Sequence, residues 1–216
     1  MNYKILATLT IFLSLLGSCG AKNAEDFYPL EQGMTWEYSG VYLAASGKVE
    51  KRAKATVMNF APRELKDPGS HSIVVMAQKI DGDISPVFGP SVRMIMFEFY
   101  ANDTDGIYII AKQGEKDIEP KFWKKNISSY TIINPIKVGT TKKEECFEIK
   151  LDSISDTVTV PAGTFNDCIK VIYTAKTNKG ETTKISWYAK GIGRVKTIIT
   201  WPENTKYISQ LQSYKK

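Results

Sequence analysis

The chain has 216 residues, of which 43% are hydrophobic and 11% aromatic. This composition excludes a disordered or fibrous protein and suits one globular domain with a sizeable core. The formal net charge of +6 is a modest excess: it is compatible with anionic envelope polymers or lipid headgroups, but such an excess more often serves solubility.

The first 18 residues have the organisation of a signal peptide. Residues 1–4 carry one lysine, and residues 5–16, ILATLTIFLSLL, form an uncharged run that is too short to span a bilayer comfortably. A leucine, a glycine and a serine then lead directly into Cys19, which resembles the lipobox of bacterial lipoproteins. The resemblance implies cleavage before Cys19, attachment of diacylglycerol to its thiol and acylation of the new amine. The alternative is a plain signal peptide followed by a chance cysteine.

Lipidation of Cys19 defines the expected compartment and domain organisation. Residues 19–26 are then the lipidated cysteine and a short polar tether, and residues 27–216 a single domain. We expect an exported protein anchored to a bacterial membrane by its acyl chains, with an envelope protein, glycan or lipid as a further partner. This compartment excludes nucleic acid. Because Gly20 is not the aspartate associated with inner-membrane retention, the resemblance to lipoproteins implies the outer membrane, facing the periplasm or the cell surface.

From residue 34 onward the chain alternates between apolar and polar residues. Residues 34–39, 185–189 and 194–201 are examples, and this period of two is typical of half-buried antiparallel strands. Turn signals rich in glycine and aspartate separate the runs at short intervals. The pattern predicts one all-β domain, a single curved antiparallel sheet or a half-open barrel or sandwich, with about ten strands. Little helix is expected, and the best helical candidate is residues 120–130.

Residues 94–100 and 107–111 form a predicted hairpin that is apolar on both faces. Such a strand pair must be covered twice, either by core on both sides or by a bound apolar ligand on one side. Plain core is the ordinary interpretation. A ligand groove would use the following residues: Met94, Met96, Phe97, Phe99, Tyr108 and Ile110.

Residues 119–126, EPKFWKKN, place lysines beside a tryptophan. Lys121, Trp123, Lys124 and Lys125 suit contact with a lipid headgroup, an anionic glycan or the membrane surface. A solvated loop with one packed aromatic side chain is the alternative.

Residues suited to catalysis are few. The single histidine, His71, stands without a nucleophile elbow elsewhere in the sequence. Residues 102–106, NDTDG, lack the ligands of a complete calcium loop and suit a hairpin turn. Glutamates around position 146 offer a carboxylate pair, but flanking lysines make an exposed strand face the ordinary explanation. We therefore expect a protein that is not an enzyme, with no catalytic residue, no metal site and no cofactor.

Cys146 and Cys168 remain once Cys19 is lipidated, and they form an even pair in an exported chain. A disulfide between them would close a loop of about 23 residues and contribute roughly 3 kcal/mol. We predict this bridge, with two buried free thiols as the alternative, because spacing alone does not establish the geometry.

Three separated segments resemble a family of uncharacterised bacterial envelope lipoproteins. They are FYPLEQGMTWEY (27–38), TVTVPAGTFNDCIKV (157–171) and WYAKGIGRVK (187–196). Their marks are YPL-x-x-G-x-x-W-x-Y, TVTVPAGTF-x-x-C and WYA-x-G-x-G-x-VK. Lys190 departs from the family pattern, which has a proline before the glycine. The resemblance implies a curved antiparallel sheet, half-open or barrel-like, and brings no catalytic residue; it does not extend to residues 41–141.

These observations favour a lipid-anchored, non-catalytic interaction or structural module of the cell envelope. The alternative is a binding protein for an apolar, lipid-like ligand held on the concave side of the sheet. That alternative draws on a fold-level analogy with half-barrel lipoprotein carriers.

Overall fold

The computed structural model describes residues 22–66, 72–82, 94–122 and 125–216. Within this part, 69% of the structure is strand and 4% helix, arranged as one large antiparallel sheet. Cys19, the signal peptide, His71, Trp123 and Lys124 lie outside the described residues. No helix of the described part is long and apolar enough to cross a membrane.

The described elements are one α-helix, one 3-10 turn and thirteen strands. The helix is α1 (Ala24–Phe27), and the 3-10 turn covers Ile127–Ser129. The strands are β1 (Thr35–Leu43), β2 (Val49–Lys66), β3 (Ser72–Gly82), β4 (Met94–Asp103), β5 (Gly106–Gly114), β6 (Lys121–Phe122), β7 (Tyr130–Ile133), β8 (Thr141–Lys143), β9 (Phe147–Val160), β10 (Gly163–Thr177), β11 (Gly180–Ala189), β12 (Gly193–Thr200) and β13 (Lys206–Lys215).

The strand order is β6-β5-β4-β3-β2-β1-β13-β12-β11-β10-β9-β8, and β7 pairs with β5 outside this path. The first and last long strands, β1 and β13, are therefore neighbours in the middle of the sheet. Among the described residues, the path ends at β6 and at β8, so the sheet is open. The predicted fold class is confirmed. The structure has thirteen strands in its described part, whereas the sequence predicted about ten. The three shortest strands, β6, β7 and β8, have 2, 4 and 3 residues, which is too few for the sequence to show an alternation.

The sheet curls so that strands from its two halves share one core. Tyr100 of β4 and Ile107 of β5 pack in the same cluster as Ile149 of β9 and Ile169 of β10. In a flat sheet these strands would lie about 30 Å or more apart, so burial of the apolar face requires curvature. We call this inner face, which also carries Tyr38, the concave face.

The hairpin of β4 and β5 is covered on both faces, as its doubly apolar sequence requires. Tyr100 and Ile107 belong to the core on the concave face. Phe99, Ala101 and Ile110 belong to a separate cluster on the other face, which we call the convex face.

A glycine is required at the turn between β4 and β5. Gly106 has φ of 135°, and a Cβ built on it would lie 2.2 Å from the backbone oxygen of Ile132 in β7. Only glycine accommodates both this conformation and the close approach of β7. The pairing of β7 with β5, which the sequence did not reveal, therefore depends on this position.

Helix α1 occupies part of the stretch assigned to the tether. Ala24 and Phe27 are both 0% exposed, and the backbone N–H of Ala24 donates to Asn134 Oδ1 at 3.0 Å. The backbone N–H of Gly191 donates to the carbonyl oxygen of Asp26 at 2.6 Å. The packed body of the protein thus begins within a few residues of Cys19.

The helix expected near residues 120–130 is reduced to the 3-10 turn between two short strands.

The predicted disulfide is wrong: Cys146 is an exposed free cysteine and Cys168 a buried one. Cys146 precedes β9, and its carbonyl oxygen accepts a hydrogen bond from the backbone N–H of Lys176 at 2.8 Å. Cys168 lies toward the other end of β10, opposite Asp156. The eight residues between Cys168 and Lys176 extend roughly 25 Å along a strand, whereas a disulfide needs Cα atoms within about 7 Å.

Candidate functional site

The centre of the concave face is polar and charged. Side chains from the segment after α1 and from five strands meet there, and we call them the interior cluster. Its members are Tyr28, Tyr38, Glu98, Tyr100, Lys112, Lys184, Tyr188 and Arg194.

Strand register places the cluster members on one face. Gln78, Glu98 and Lys112 are successive antiparallel partners across β3, β4 and β5, and directly paired residues share a face of the sheet. On β11, Lys184 and Tyr188 are four residues apart and therefore also lie on one face.

A β-bulge brings Arg194 into the cluster. Trp187 pairs with Lys196, but the next residue, Tyr188, pairs with Arg194, so Val195 is the extra residue. Regular pairing would have placed Val195 opposite Tyr188 and Arg194 on the convex face. The bulge redirects the Arg194 side chain inward, where its guanidinium carbon lies 5.1 Å from the centre of the Tyr38 ring.

Glu98 is an ionised and fully paired carboxylate. Tyr100 donates its hydroxyl proton to Oε2 at 2.6 Å, and Lys112 Nζ lies 2.6 Å from Oε1. Burial acts to raise the pKa of Glu98, but Lys112, the Tyr100 hydrogen bond and the charge of Arg194 outweigh it, so the pKa is lowered. The charge of Glu98 is thus used chiefly to hold Lys112 and Tyr100.

Arg194 is a cation without a carboxylate partner. Among the described residues, its Nε is the one buried side-chain nitrogen or oxygen that lacks a hydrogen-bond partner. Burial acts to lower the pKa of Arg194, yet the surrounding tyrosines, Tyr38 first, more than offset it and the pKa is raised. Its charge is therefore permanent and is not neutralised by a carboxylate within ion-pair distance in the described part of the chain.

Lys184 is a second cation that, like Arg194, has no carboxylate partner in the described part of the chain. Its Nζ lies 5.4 Å from the centre of the Tyr173 ring, and the described residues place no carboxylate within ion-pair distance of it. Burial lowers the pKa of Lys184 to about 8, and the positive charge of Arg194 adds to this effect. Among the described residues, three cations, Arg194, Lys112 and Lys184, thus face one carboxylate, Glu98, which leaves an excess of two positive charges near neutral pH.

Small residues form the floor between these cations. The hydroxyls of Ser186 and Thr197 are 3.0 Å apart, and Thr197 pairs with Ser209, which pairs with Gly40 of β1. A Cβ at Gly40 would lie 2.5 Å from the ring of Tyr207, so a larger residue there would displace that ring. The floor is therefore polar, with the hydroxyls of Ser186 and Thr197 bonded to each other and Ser186 also in contact with Tyr188.

A hydrogen-bond chain fastens the segment after α1 over the concave face. Tyr28 donates to Gln78 Oε1 at 2.9 Å, and Gln78 Nε2 donates to Asn59 Oδ1 at 2.9 Å. Asn59 Nδ2 in turn donates to the carbonyl oxygens of Pro29 and Glu31 at 3.2 and 3.0 Å. All three side chains are buried and paired, so this network has a structural role.

The predicted groove residues do not form one surface. Met96 packs against the core of the concave face, and Met94 lies on the same side of β4 by alternation. Phe97, Phe99 and Ile110 belong to the cluster on the convex face, and Tyr108 contacts both cores. Phe99 and Ile110 are 0% and 6% exposed and serve as core.

Two of the lysines proposed for a headgroup contact, Lys121 and Lys125, are paired with carboxylates. Lys125 Nζ lies 2.5 Å from Asp103 and 3.3 Å from Asp105, and 4.5 Å from the centre of the Tyr108 ring. Lys121 Nζ lies 3.2 Å from Asp117. Ammonium groups thus occupy the acidic turn weighed as a calcium loop, and in the described residues no cluster of acidic, histidine or cysteine side chains could hold a metal.

Sequence reasoning missed the interior cluster, although a signal was present. Glu98 stands in the apolar run MFEFY, whereas the alternation of TTKISWY puts Lys184 on the face opposite Ile185 and Trp187, which reads as the solvent face. A charged residue at a position that the period of two assigns to the core is a departure that points to a buried site. Arg194 had no such signal, because its inward direction depends on the bulge.

Comparison with known proteins finds similarity over the carboxyl half. A family model described as DUF3108-like matches residues 137–214, which is less than half of the chain. The matched range contains the second and third of the three family-like segments, together with Lys184 and Arg194. No curated protein matches the chain.

Two solved structures resemble the chain at low sequence identity. One, from Bacteroides fragilis, is described as an exported protein with a YmcC-like fold; it is 17% identical, with a TM-score of 0.41 over 88% of this chain and 99% of that chain. Another, from Parabacteroides distasonis, is described as a lipoprotein; it is 16% identical, with a TM-score of 0.39 over 90% of this chain and 100% of that chain.

Proposed function

We propose that the protein is a lipid-anchored component of the bacterial cell envelope, at the outer membrane, and acts as a non-catalytic interaction module through its concave face. The observation that carries this proposal is the interior cluster. Burying Lys184 and leaving Arg194 Nε without a partner both cost free energy. A sheet that served stability alone would have an apolar centre, so these costs favour a binding role.

The chemistry of the cluster suits binding better than proton transfer. Burial raises the pKa values of Tyr28, Tyr38, Tyr100 and Tyr188. Their hydroxyls therefore stay protonated at neutral pH, and each already donates within the protein, to Gln78, the Arg194 carbonyl, Glu98 and the Thr131 carbonyl. The groups left for a partner are the fixed cations, which recognise it without any cofactor, and an envelope protein, glycan or lipid would supply the complementary group.

The short connection to Cys19 holds the body close to its anchor. Ala24 is fully buried, so four residues separate the lipidated cysteine from the packed fold, and the five Cα–Cα steps from Cys19 to Ala24 span at most roughly 18 Å when extended. A partner in the same membrane or in the adjacent layer would thus be within reach of the body.

Fractionation of cell membranes tests the anchor. We expect Cys19→Ala to move the protein from the membrane pellet to the soluble fraction, because the acyl chains supply its affinity for the bilayer. Cys146→Ala is the matched control, since it removes an exposed cysteine and should leave the protein in the pellet. Retention of Cys19→Ala in the pellet would contradict the anchoring proposal.

A second candidate function is binding of an apolar, lipid-like ligand on the concave face. It is favoured by Met96, whose adaptable side chain lies on that face one inward position away from Glu98. Native mass spectrometry of the full-length protein tests both candidates. A copurifying uncharged lipid favours the second, a polar or protein partner favours the first, and a protein that binds neither contradicts both.

A further inference from the structure

We propose that Arg194 and Lys184 form a binding site for the phosphate group of an anionic ligand on the concave face. This phosphate site rests on the proposed function, because it lies on the same concave face. It adds the chemical class of the partner that this face would bind. The shared chemistry is a phosphate group, carried either by a lipid headgroup or by a free or small-molecule phosphate.

The charge balance of the interior cluster favours an anion. Lys112 is engaged with Glu98 at 2.6 Å, whereas Arg194 and Lys184 are without ion-pair partners among the described residues. Each of these two cations raises the free energy of the other, since the charge of Arg194 acts to deprotonate Lys184. A phosphate group between them would neutralise one of the two excess charges as a phosphodiester and both as a dianionic phosphate.

The arrangement of donors fits a phosphate group. Along β11, Ser186 lies between Lys184 and Tyr188, and Tyr188 is the cross-strand partner of Arg194. Lys184 and Tyr188 each lie about 6–7 Å along the strand from Ser186, so Lys184 and Arg194 stand on opposite sides of the Ser186–Thr197 hydroxyl pair. Guanidinium presents a planar set of N–H donors that matches phosphate oxygens, and an ammonium adds a point charge.

Parts of the two cationic side chains reach solvent, although Arg194 Nε itself is buried. Arg194 and Lys184 are half-buried rather than sealed, and the Lys112 side chain beside them is 26% exposed. Partial burial strengthens the attraction between an anion and these cations, because the local dielectric is lower than that of water. A partly desolvated pair of cations thus suits phosphate better than a fully exposed lysine pair would.

Calorimetric titration of the full-length protein in a nonionic detergent, at pH 7 and constant ionic strength, tests the assignment. The probes are inorganic phosphate and a soluble short-chain phosphatidylglycerol. We expect saturable binding of at least one probe, with Arg194→Gln and Lys184→Met each weakening the affinity by about tenfold or more. Stronger binding of phosphatidylglycerol indicates a headgroup, and stronger binding of inorganic phosphate indicates a free or small-molecule phosphate.

Lys196→Met is the matched control. Lys196 lies on β12 two residues from Arg194 and contacts the ring of Trp187 at 5.5 Å, on the convex face. The variant loses the same charge as Lys184→Met, so its affinity for the probes should stay within about twofold of the original if the site is local.

Two results would overturn the assignment. One is the absence of saturable binding for both probes, and the other is an equal loss of affinity in Lys184→Met and Lys196→Met. Lys184→Met keeps the test decisive if Arg194→Gln fails to fold, because it removes a poorly solvated charge at the edge of the cluster. If a protein or a polar partner without phosphate is retained in native mass spectrometry while neither anion binds, the phosphate assignment fails and the proposed function stands.

Discussion

Lys184 illustrates at the scale of a single residue how burial sets charge. The groups that act on it are Arg194 from β12, Glu98 from β4 and Lys112 from β5, while the ring of Tyr173 lies beside its ammonium. Burial is the largest influence and lowers the pKa from 10.5 to about 8. At neutral pH the folded protein therefore carries an ammonium that water would solvate better in the unfolded chain.

Lys184→Met should stabilise the protein in a way that depends on pH. Below pH 8 both states of the original protein bind the Lys184 proton, and the folded state carries the full desolvation cost. Between the folded pKa of about 8 and the unfolded value of 10.5, the unfolded state binds more protons, so the stability of the original protein rises with pH. The advantage of the variant, about 1–3 kcal/mol at pH 7, should shrink over this range.

Urea unfolding in phosphate-free buffers from pH 7 to pH 10 measures this advantage. Titration of the buried tyrosines affects both proteins equally and cancels in the difference. Lys196→Met, on the other face of the sheet, should show no such trend. A constant difference between Lys184→Met and the original protein across the range would be inconsistent with a depressed pKa.

The hairpin of β9 and β10 shows how an element acquires its position. Residues 157–171 read as two strands with a turn, but register shifts on either side of Cys168 bend the hairpin. Its tip then crosses toward β13, where the backbone N–H of Ala162 donates to the carbonyl oxygen of Leu211 at 3.1 Å. Val158 and Cys168 pack in the second core of the concave face, so this segment covers one end of the curled sheet.

The two cysteines at the ends of this hairpin should differ strongly in reactivity. Burial raises the pKa of Cys168 to about 11, and its side chain is 0% exposed, so it should react with maleimide only after unfolding. Cys146 is exposed and should react in the native state. Peptide mapping by mass spectrometry after labelling distinguishes the two sites.

Denaturation without a reductant provides the decisive comparison for these thiols. Both Cys146 and Cys168 should then be labelled, because neither is in a disulfide. If neither residue is labelled in the denatured protein until a reductant is added, the two cysteines form the disulfide that the sequence predicted.

At the scale of the whole molecule, Tyr28 connects the two halves of the curled sheet. Its ring centre lies 5.3 Å from that of Tyr100 on β4 and 6.0 Å from that of Tyr188 on β11. Its hydroxyl donates to Gln78 on β3. One residue from the segment after α1 thus fills the space between strands that are distant along the sheet, which stabilises the curvature.

Tyr28→Ala should destabilise the protein by about 3–5 kcal/mol, the usual cost of removing a buried aromatic side chain. Tyr28→Phe should cost only about 1–2 kcal/mol, because it removes the hydrogen bond and keeps the ring. Tyr214→Ala is the matched control: Tyr214 is 39% exposed and should change stability by about 1 kcal/mol or less. Chemical denaturation measures all three, and equal effects of Tyr28→Ala and Tyr214→Ala would contradict this role.

Much of the fold was predictable from the sequence because strand periodicity is local. The alternation around Trp36, Trp187 and Val195 assigned strands, and the doubly apolar run at Phe99 correctly required cover on both faces. The candidate site was not predictable to the same degree. Glu98 left a readable departure from alternation, but the alternation assigned Lys184 to the solvent face, and the inward direction of Arg194 depends on a single extra residue in the pairing of β11 and β12.

By itself, the sequence determined the all-β class, antiparallel strands and the expectation of a lipid anchor, since each is written in short segments whose spacing is independent of distant residues, whereas a single sheet and a half-open barrel or sandwich remained alternatives. Only the tertiary structure decided that Cys146 and Cys168 lie far apart, and that cations from β11 and β12 meet residues of β4 and β5. The physical reason is that curvature and register arise from the packing of strands against one another. These long-range relations decide which side chains meet, and they leave no local pattern in the chain.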